Sequence, residues 1–457
     1  MNHSIMRFKN LEEALNAAGG AVSLLRSSPI GRYVFPVVPA EFTNWRDEQQ
    51  AWRNTCALMD LSYHMTDLYL KGRDVMALLT KVGCNRFGSF PFNRAKQIIA
   101  ASHDGYLIGD GICFHTSDDV YRVTGAPVIS NWLQFNIETG KYDVDVERDE
   151  AVGFRGGEPR IYIFQLQGPR ALELMREVTE NKLPDIGFFQ IGDLSINGRS
   201  LRALRHGMAG VPGFELFGPW QDAQLIKQAL ETAGEKYQLR KVGALAFPTT
   251  CLESGWMPLP CPAIYHSEEM RPYRDWMTPM NLEVMGSLGG SLVSDNILDY
   301  YADPIEVGYG PLVDFDHDFI GRHALAEKIK SQKRKKVTLV WNEGDVTDVI
   351  RSSLFAVDSN GKFMNMPLSV YSTFQCDEVT KNGGRAGISQ TVGFSQNAKS
   401  MLSLALLNLE HCEPGTEVTV RWGEPRSRRP TVENNSIHEI RAKVALAPYY
   451  QKSIKLV

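Results

Sequence analysis

No stretch of the chain approaches the roughly 18 consecutive apolar residues of a membrane-crossing helix, so no membrane span is expected. GxxxxGK(S/T), HExxH and GxSxG are all absent, which removes the common routes to phosphate-loop, zinc-peptidase and hydrolase chemistry. Gly207, Gly210 and Gly213 are spaced too evenly for the dinucleotide fingerprint. Positive charge is not in excess: 49 Lys and Arg stand against 53 Asp and Glu, net −4, which argues against a nucleic-acid partner. Seven cysteines, Cys56, Cys84, Cys113, Cys251, Cys261, Cys376 and Cys412, are scattered and odd in number, with no CxxC pair. That pattern fits neither a disulfide framework nor a zinc ribbon. The first ten residues carry no apolar core of a signal peptide, so the expectation is a cytoplasmic chain with reduced thiols. Ten histidines form no ligand cluster, and Asp314, Asp316 and Asp318 lack the glycine and glutamate of a calcium loop, so no metal is expected.

What is present is an ordinary globular composition, 43% hydrophobic and 22% charged over 457 residues. At about 100–200 residues per domain this is two to four domains. Helical spacing covers 10–27, broken at Gly19-Gly20, and then 41–60, 73–82, 170–178 and 221–234. Strand signals cover 63–70, 96–101, 106–114, 121–123 and 160–166. Interspersed helices and hairpins of this kind predict α+β layers rather than a repeating βαβ sheet. A basic stretch at 328–336 reads as a solvated linker, and beyond it short strands at 337–341, 368–371, 403–407, 417–422 and 442–447 suit a small barrel. The expected division is therefore 1–330, a core of two interleaved α+β subdomains, and 331–457, a β-barrel.

Four segments carry a family pattern. Arg205-His206-Gly207-Met208-Ala209-Gly210-Val211-Pro212-Gly213-Phe214-Glu215 places glycines, which let backbone approach a flat ring, before a carboxylate able to accept two hydrogen bonds from one heterocycle edge. Leu252-Glu253-Ser254-Gly255-Trp256, Phe319-Ile320-Gly321-Arg322 and Phe164-Gln165-Leu166-Gln167-Gly168-Pro169 accompany it. Taken in chain order, the segments resemble the aminomethyltransferase (glycine-cleavage T-protein) family. Ile30–Pro36, Asn44-Trp45-Arg46, Ile108–Ile112 and Tyr309-Gly310-Pro311 extend the resemblance nearly end to end. They are similar to its tetrahydrofolate-dependent aryl O-demethylase branch, which acts on vanillate, 3-O-methylgallate or syringate.

The resemblance implies a three-domain, cloverleaf-like fold with tetrahydrofolate, the methyl acceptor, in a central channel. It implies an SN2 transfer of methyl from an aromatic ether to N5 of the folate, in the catabolism of lignin-derived aromatics. Glu215, Gln165, Trp256, Gly207 and Met208 are the implied folate contacts. His64 is the implied acid for the leaving phenolate; a core histidine held by backbone groups is the alternative. Tyr33, Phe35, Leu61, Gly125 and Phe247 are the implied substrate wall. Four of these depart from the vanillate-type pattern, which has tyrosine at 35, glutamine at 61, arginine at 125 and tyrosine at 247. The apolar replacements shift the expected donor toward syringate. Loss of the arginine leaves Arg122, Arg32 or His206 as candidate partners for a substrate carboxylate. Competing readings are a transferase acting on dimethylsulfoniopropionate or a glycine-cleavage intermediate, and a non-catalytic folate-binding protein.

Overall fold

The computed structural model describes residues 7–34, 37–117, 119–356, 360–425 and 427–450. Its architecture is α+β and cloverleaf-like: two large open sheets, a two-stranded one and a closed six-stranded barrel on the C-terminal side. The first sheet runs, in spatial order, Leu239–Val242, Cys56–Asp60, Ile161–Gln167, Gly213–Pro219, Arg199–Arg205 and Ile191–Ile196. The second runs Arg94–Ala101, Leu107–Ser117, Val120–Gly125, Thr66–Lys71 and Asp145–Asp149. The chain leaves the first sheet after Asp60, builds all of the second, and returns at Ile161.

Strand alternation explains how the first sheet is used. Phe214 and Leu216 point to one face, where they pack with Leu174 and Met175 of helix Ala171–Val178 and Ile226 and Leu230 of helix Ala223–Gly234. Glu215 and Phe217 fall on the other face by the same period. There Ile163, Leu204 and Phe217 pack with Ala95 and Phe114 of the second sheet and with Trp52. Burying each such large side chain stabilises by about 1.5–3 kcal/mol. Polar side chains in this intersheet layer need a reason to be there.

The barrel orders Arg334–Trp341, Ser400–Asn408, Gly384–Ser395, Asp377–Lys381, Glu417–Trp422 and His438–Ala445, and closes back on its first strand. Glu253 ties it to the core. Its carboxylate accepts from Trp52 Nε1 (3.0 Å), Arg53 Nε (2.8 Å), Ser395 Oγ (2.9 Å) and Asn397 Nδ2 (2.9 Å). Gly321 is fixed differently: a β-carbon there would lie 2.1 Å from the Ser102 carbonyl oxygen. Two of the family segments therefore hold the fold.

Three local expectations need correction. The helix expected over 41–60 is Trp45–Asn54, capped by Asn44, whose side chain accepts from the Asp47 amide at 3.1 Å. Residues 56–59 form a strand because the unbroken run Cys-Ala-Leu-Met is buried on both faces between two neighbours. The stretch 368–371 is no strand; Leu368 makes a single bridge to Gly393. The basic stretch 328–336 is not a solvated linker: it spans the end of helix Arg322–Lys330 and the start of the barrel. Arg334 pairs with Glu306 at 2.7 Å, and Lys336 donates to the Val307 carbonyl.

Candidate active site

A cavity of about 290 Å³ opens between the two sheets. Leu61, Ile163, His206, Gly207, Met208 and Glu215 wall it from one side, and Gln97, Ile108 to Ile112, Thr124 and Gly125 from the other. A smaller cavity of about 120 Å³ adjoins it, sharing His64, Met65, Met208 and Trp256, and adding Tyr33, Phe247, Pro127 and Leu282. Its lining is almost wholly apolar and its volume suits one aromatic ring. Phe35 lies outside the described residues.

Glu215 stands opposite Gln165 in the ladder, so both side chains leave the sheet on the same face. Glu215 Oε1 and Gln165 Oε1 are buried acceptors without a donor among the described residues. Unmet buried acceptors are costly, which is the signature of a site waiting for donors. Burial pushes the Glu215 carboxyl up to about 7; Arg122 pulls it down and Asp67 pushes it further up. Gln165 does not line the cavity; its Nε2 donates to the His206 carbonyl at 2.9 Å and steadies the glycine turn. Gln167 Oε1 accepts from the Met208 amide at 2.8 Å. A β-carbon on Gly207 would lie 1.7 Å from the Val211 carbonyl oxygen, so the turn closes only with glycine.

His64 lines both cavities and is 9% exposed. Its Nδ1 lies 3.0 Å from the Leu61 carbonyl, and Phe247 meets the ring edge-on at 5.0 Å between centroids. Against a carbonyl acceptor Nδ1 carries the proton of the neutral ring. Burial pushes this imidazole down to about 4, against the raising effects of the Leu61 carbonyl and Asp60. The ring is therefore neutral at pH 7 in the free protein. Tyr33 donates from its hydroxyl to the His64 carbonyl at 3.2 Å.

Gly125 lines the larger cavity without room for a side chain: a β-carbon would meet Ile129 Cγ2 at 2.8 Å and the Asp110 carbonyl oxygen at 3.1 Å. Arg122 does not reach either cavity. Its guanidinium is clamped between the rings of Phe114 (4.1 Å) and Phe217 (4.6 Å), facing Asp67 at 3.6 Å. His206 does line the larger cavity, but burial pushes it down to about 4 and leaves it uncharged.

Asp110 is a site group that the motif reading passed over. Tyr309 Oη (2.8 Å), Gln97 Nε2 (2.8 Å) and Trp256 Nε1 (3.1 Å) all donate to its Oδ2, and burial still raises its carboxyl. Trp256 thus both lines the cavity and orients a carboxylate. The one signal in sequence was an acid flanked by Gly109 and Gly111 inside a strand pattern.

Among the described residues no group of three or more His, Cys, Asp or Glu could hold a metal ion. The donor-hungry carboxylate of Glu215 faces the cavity and can take an amino and ring N–H edge, whereas Gln165, expected beside it as a folate contact, stands behind the wall and holds the turn.

The chain is similar to known proteins over most of its length. Residues 30–259 match the model of the GCVT N-terminal domain. A syringate O-demethylase from Sphingobium sp. is 40% identical over 96% of both chains. A sesamin methylene transferase from Sinomonas sp. is 29% identical over 96% of this chain and 94% of its own. The crystal structure of the glycine cleavage system aminomethyltransferase T from Bartonella henselae shares the fold, with a TM-score of 0.61 at 14% identity over 93% of this chain and 96% of that one. The chain belongs to the aminomethyltransferase (glycine-cleavage T-protein) family.

Proposed function

We propose that this chain is a tetrahydrofolate-dependent O-demethylase that moves the methyl group of a methoxylated aromatic acid to N5 of tetrahydrofolate. One observation carries the reading: a buried carboxyl, Glu215, with an unmet acceptor in a cavity that opens directly onto an apolar, ring-sized one. Tetrahydrofolate supplies the N5 nucleophile. Glu215 and the Gly207 turn bind its pterin; Asp110 and Trp256 line the same cavity. Phe247, Met208 and Leu282 bound the space for the donor ring.

In the transfer the methyl C–O bond breaks, a C–N5 bond forms, and the electron pair leaves on the ether oxygen as phenolate. N5 loses its proton and the phenolate gains one, so no net proton is consumed. A phenol has an ordinary pKa of about 10, so a proton or positive field at the oxygen lowers the barrier. His64 takes that role in this reading. It is neutral at rest, with its proton on Nδ1 toward Leu61; as negative charge builds beside it, its other nitrogen takes up the proton that N5 loses and passes it to the phenolate. Holding N5, the methyl carbon and the oxygen in line supplies several kcal/mol more.

Leu61 and Gly125, expected in the substrate wall, line the larger cavity, and it is Phe247 in the ring-sized one that offers a second methoxy group an apolar wall. Syringate is the favoured substrate, in keeping with the syringate O-demethylase relative. A panel of syringate, vanillate and 3-O-methylgallate with tetrahydrofolate tests this by 5-methyltetrahydrofolate yield. Syringate turning over fastest supports the size argument; a large preference for vanillate removes it. In the same reading a folate-binding core spans 1–330 and the barrel 331–457. The reaction belongs in the cytoplasm, a setting that suits seven free thiols.

A further inference from the structure

A third cavity, of about 280 Å³, continues the ring-sized one. The two share Tyr33, Pro248, Pro258 and Leu259. Larger cavity, ring cavity and outer cavity thus form a series, with Glu215 in the first and Arg32 in the third. A ring held in the middle, with one ether toward the folate side, carries its carboxylate meta to that ether, directed away from the folate and within reach of the outer cavity. Among the described residues lining the three cavities, Arg32 is the one arginine or lysine. The other two candidates for a carboxylate partner fail on geometry or charge: Arg122 is sealed between two phenylalanines against Asp67, and His206 is neutral.

We propose that Arg32 is the binding residue for the donor's ring carboxylate, and so makes this site specific for aromatic acids over neutral methoxyphenols. This rests on the O-demethylase reading above. Arg32 is half-buried, and its Nη1 makes one long hydrogen bond, 3.4 Å, to the Leu368 carbonyl. No other hydrogen bond engages its guanidinium among the described residues, so most of its five donors stay available for a planar, bidentate acceptor. Ser372, Thr373, Gln390 and Thr391 line the same cavity and give the carboxylate a polar surround. Gly125 leaves no space for a charged side chain, so the charge is supplied from the outer cavity by Arg32.

Calorimetric binding of syringate and of its carboxamide to the full chain, in the presence of folate, tests the assignment without requiring turnover. Wild-type protein should bind the acid about tenfold to a hundredfold more tightly than the amide, the scale of a charge-assisted pair. Arg32→Met should erase that difference by weakening the acid alone, with folate affinity unchanged, and Arg32→Lys should restore part of it. Equal binding of acid and amide by wild type, or a loss in Arg32→Met that is the same for both, overturns the proposal. Tight, carboxylate-selective binding with no methyl transfer from any methoxybenzoate would instead remove the O-demethylase reading and leave Arg32 as a carboxylate site.

Discussion

Glu215 sits in the wall of the larger cavity with its carboxyl lifted to about 7 by burial. A pterin edge offers donors, so it binds the ionised form. Folate affinity should therefore be flat above pH 7 and weaken by up to about tenfold per unit below it. Calorimetry in buffers of different ionisation heat should find proton release on binding in that lower range. Glu215→Ala should weaken folate by roughly 1.5–3 kcal/mol and flatten the pH dependence. His64 shifts the other way, from an ordinary 6.5 to about 4. On acidification the unfolded chain takes up a proton first, so stability is lost as pH falls through that window, on the order of 3 kcal/mol by its end. His64→Gln should lower turnover, spare folate affinity and shallow the acid slope of the urea midpoint; unchanged turnover would remove it from the acid role. Glu215 was legible because its glycines and its carboxylate are adjacent in sequence. Asp110 was not, because its donors come from Gln97, Trp256 and Tyr309, distant along the chain.

At the scale of elements, the turn from His206 to Gly213 is the piece most tightly determined. Its ends are joined by the His206 amide donating to the Gly213 carbonyl at 3.2 Å. A β-carbon on Gly207 would meet backbone rather than a movable side chain. Gly207→Ala should cost roughly 2 kcal/mol or more and weaken folate, whereas Gly153→Ala, with nothing within 4 Å, should be neutral; thermal melts with and without folate separate the two. Periodicity found most helices and strands because one face of each is apolar. It failed where both faces are buried, as at Cys56–Asp60, and where charge is neutralised by distant partners, as for Arg334 with Glu306. Arg122 could not be read as sealed, since its Phe114 and Phe217 neighbours come from separate strands of separate sheets.

Across the whole molecule, Glu253 joins helix Trp45–Asn54 to the barrel through four donors. Removing one partner of such a buried pair leaves Arg53 with an unmet charge, so Glu253→Ala should lower the unfolding free energy by about 3–5 kcal/mol in a denaturant titration. An unchanged midpoint would mean that the barrel is held by apolar packing alone. That clamp keeps Trp256, three residues along, against Asp110 and both cavities. The central claim is a direct methyl transfer between the two cavities, and isotopic labelling reads it without interpretation. Syringate labelled with carbon-13 and deuterium in its methoxy groups is incubated anaerobically with the protein and tetrahydrofolate, and the folate is analysed by mass spectrometry. The account predicts 5-methyltetrahydrofolate carrying carbon-13 and all three deuteriums, one per phenol formed. Label appearing as formaldehyde, deuterium lost from the methyl, or demethylation that proceeds without folate would contradict it.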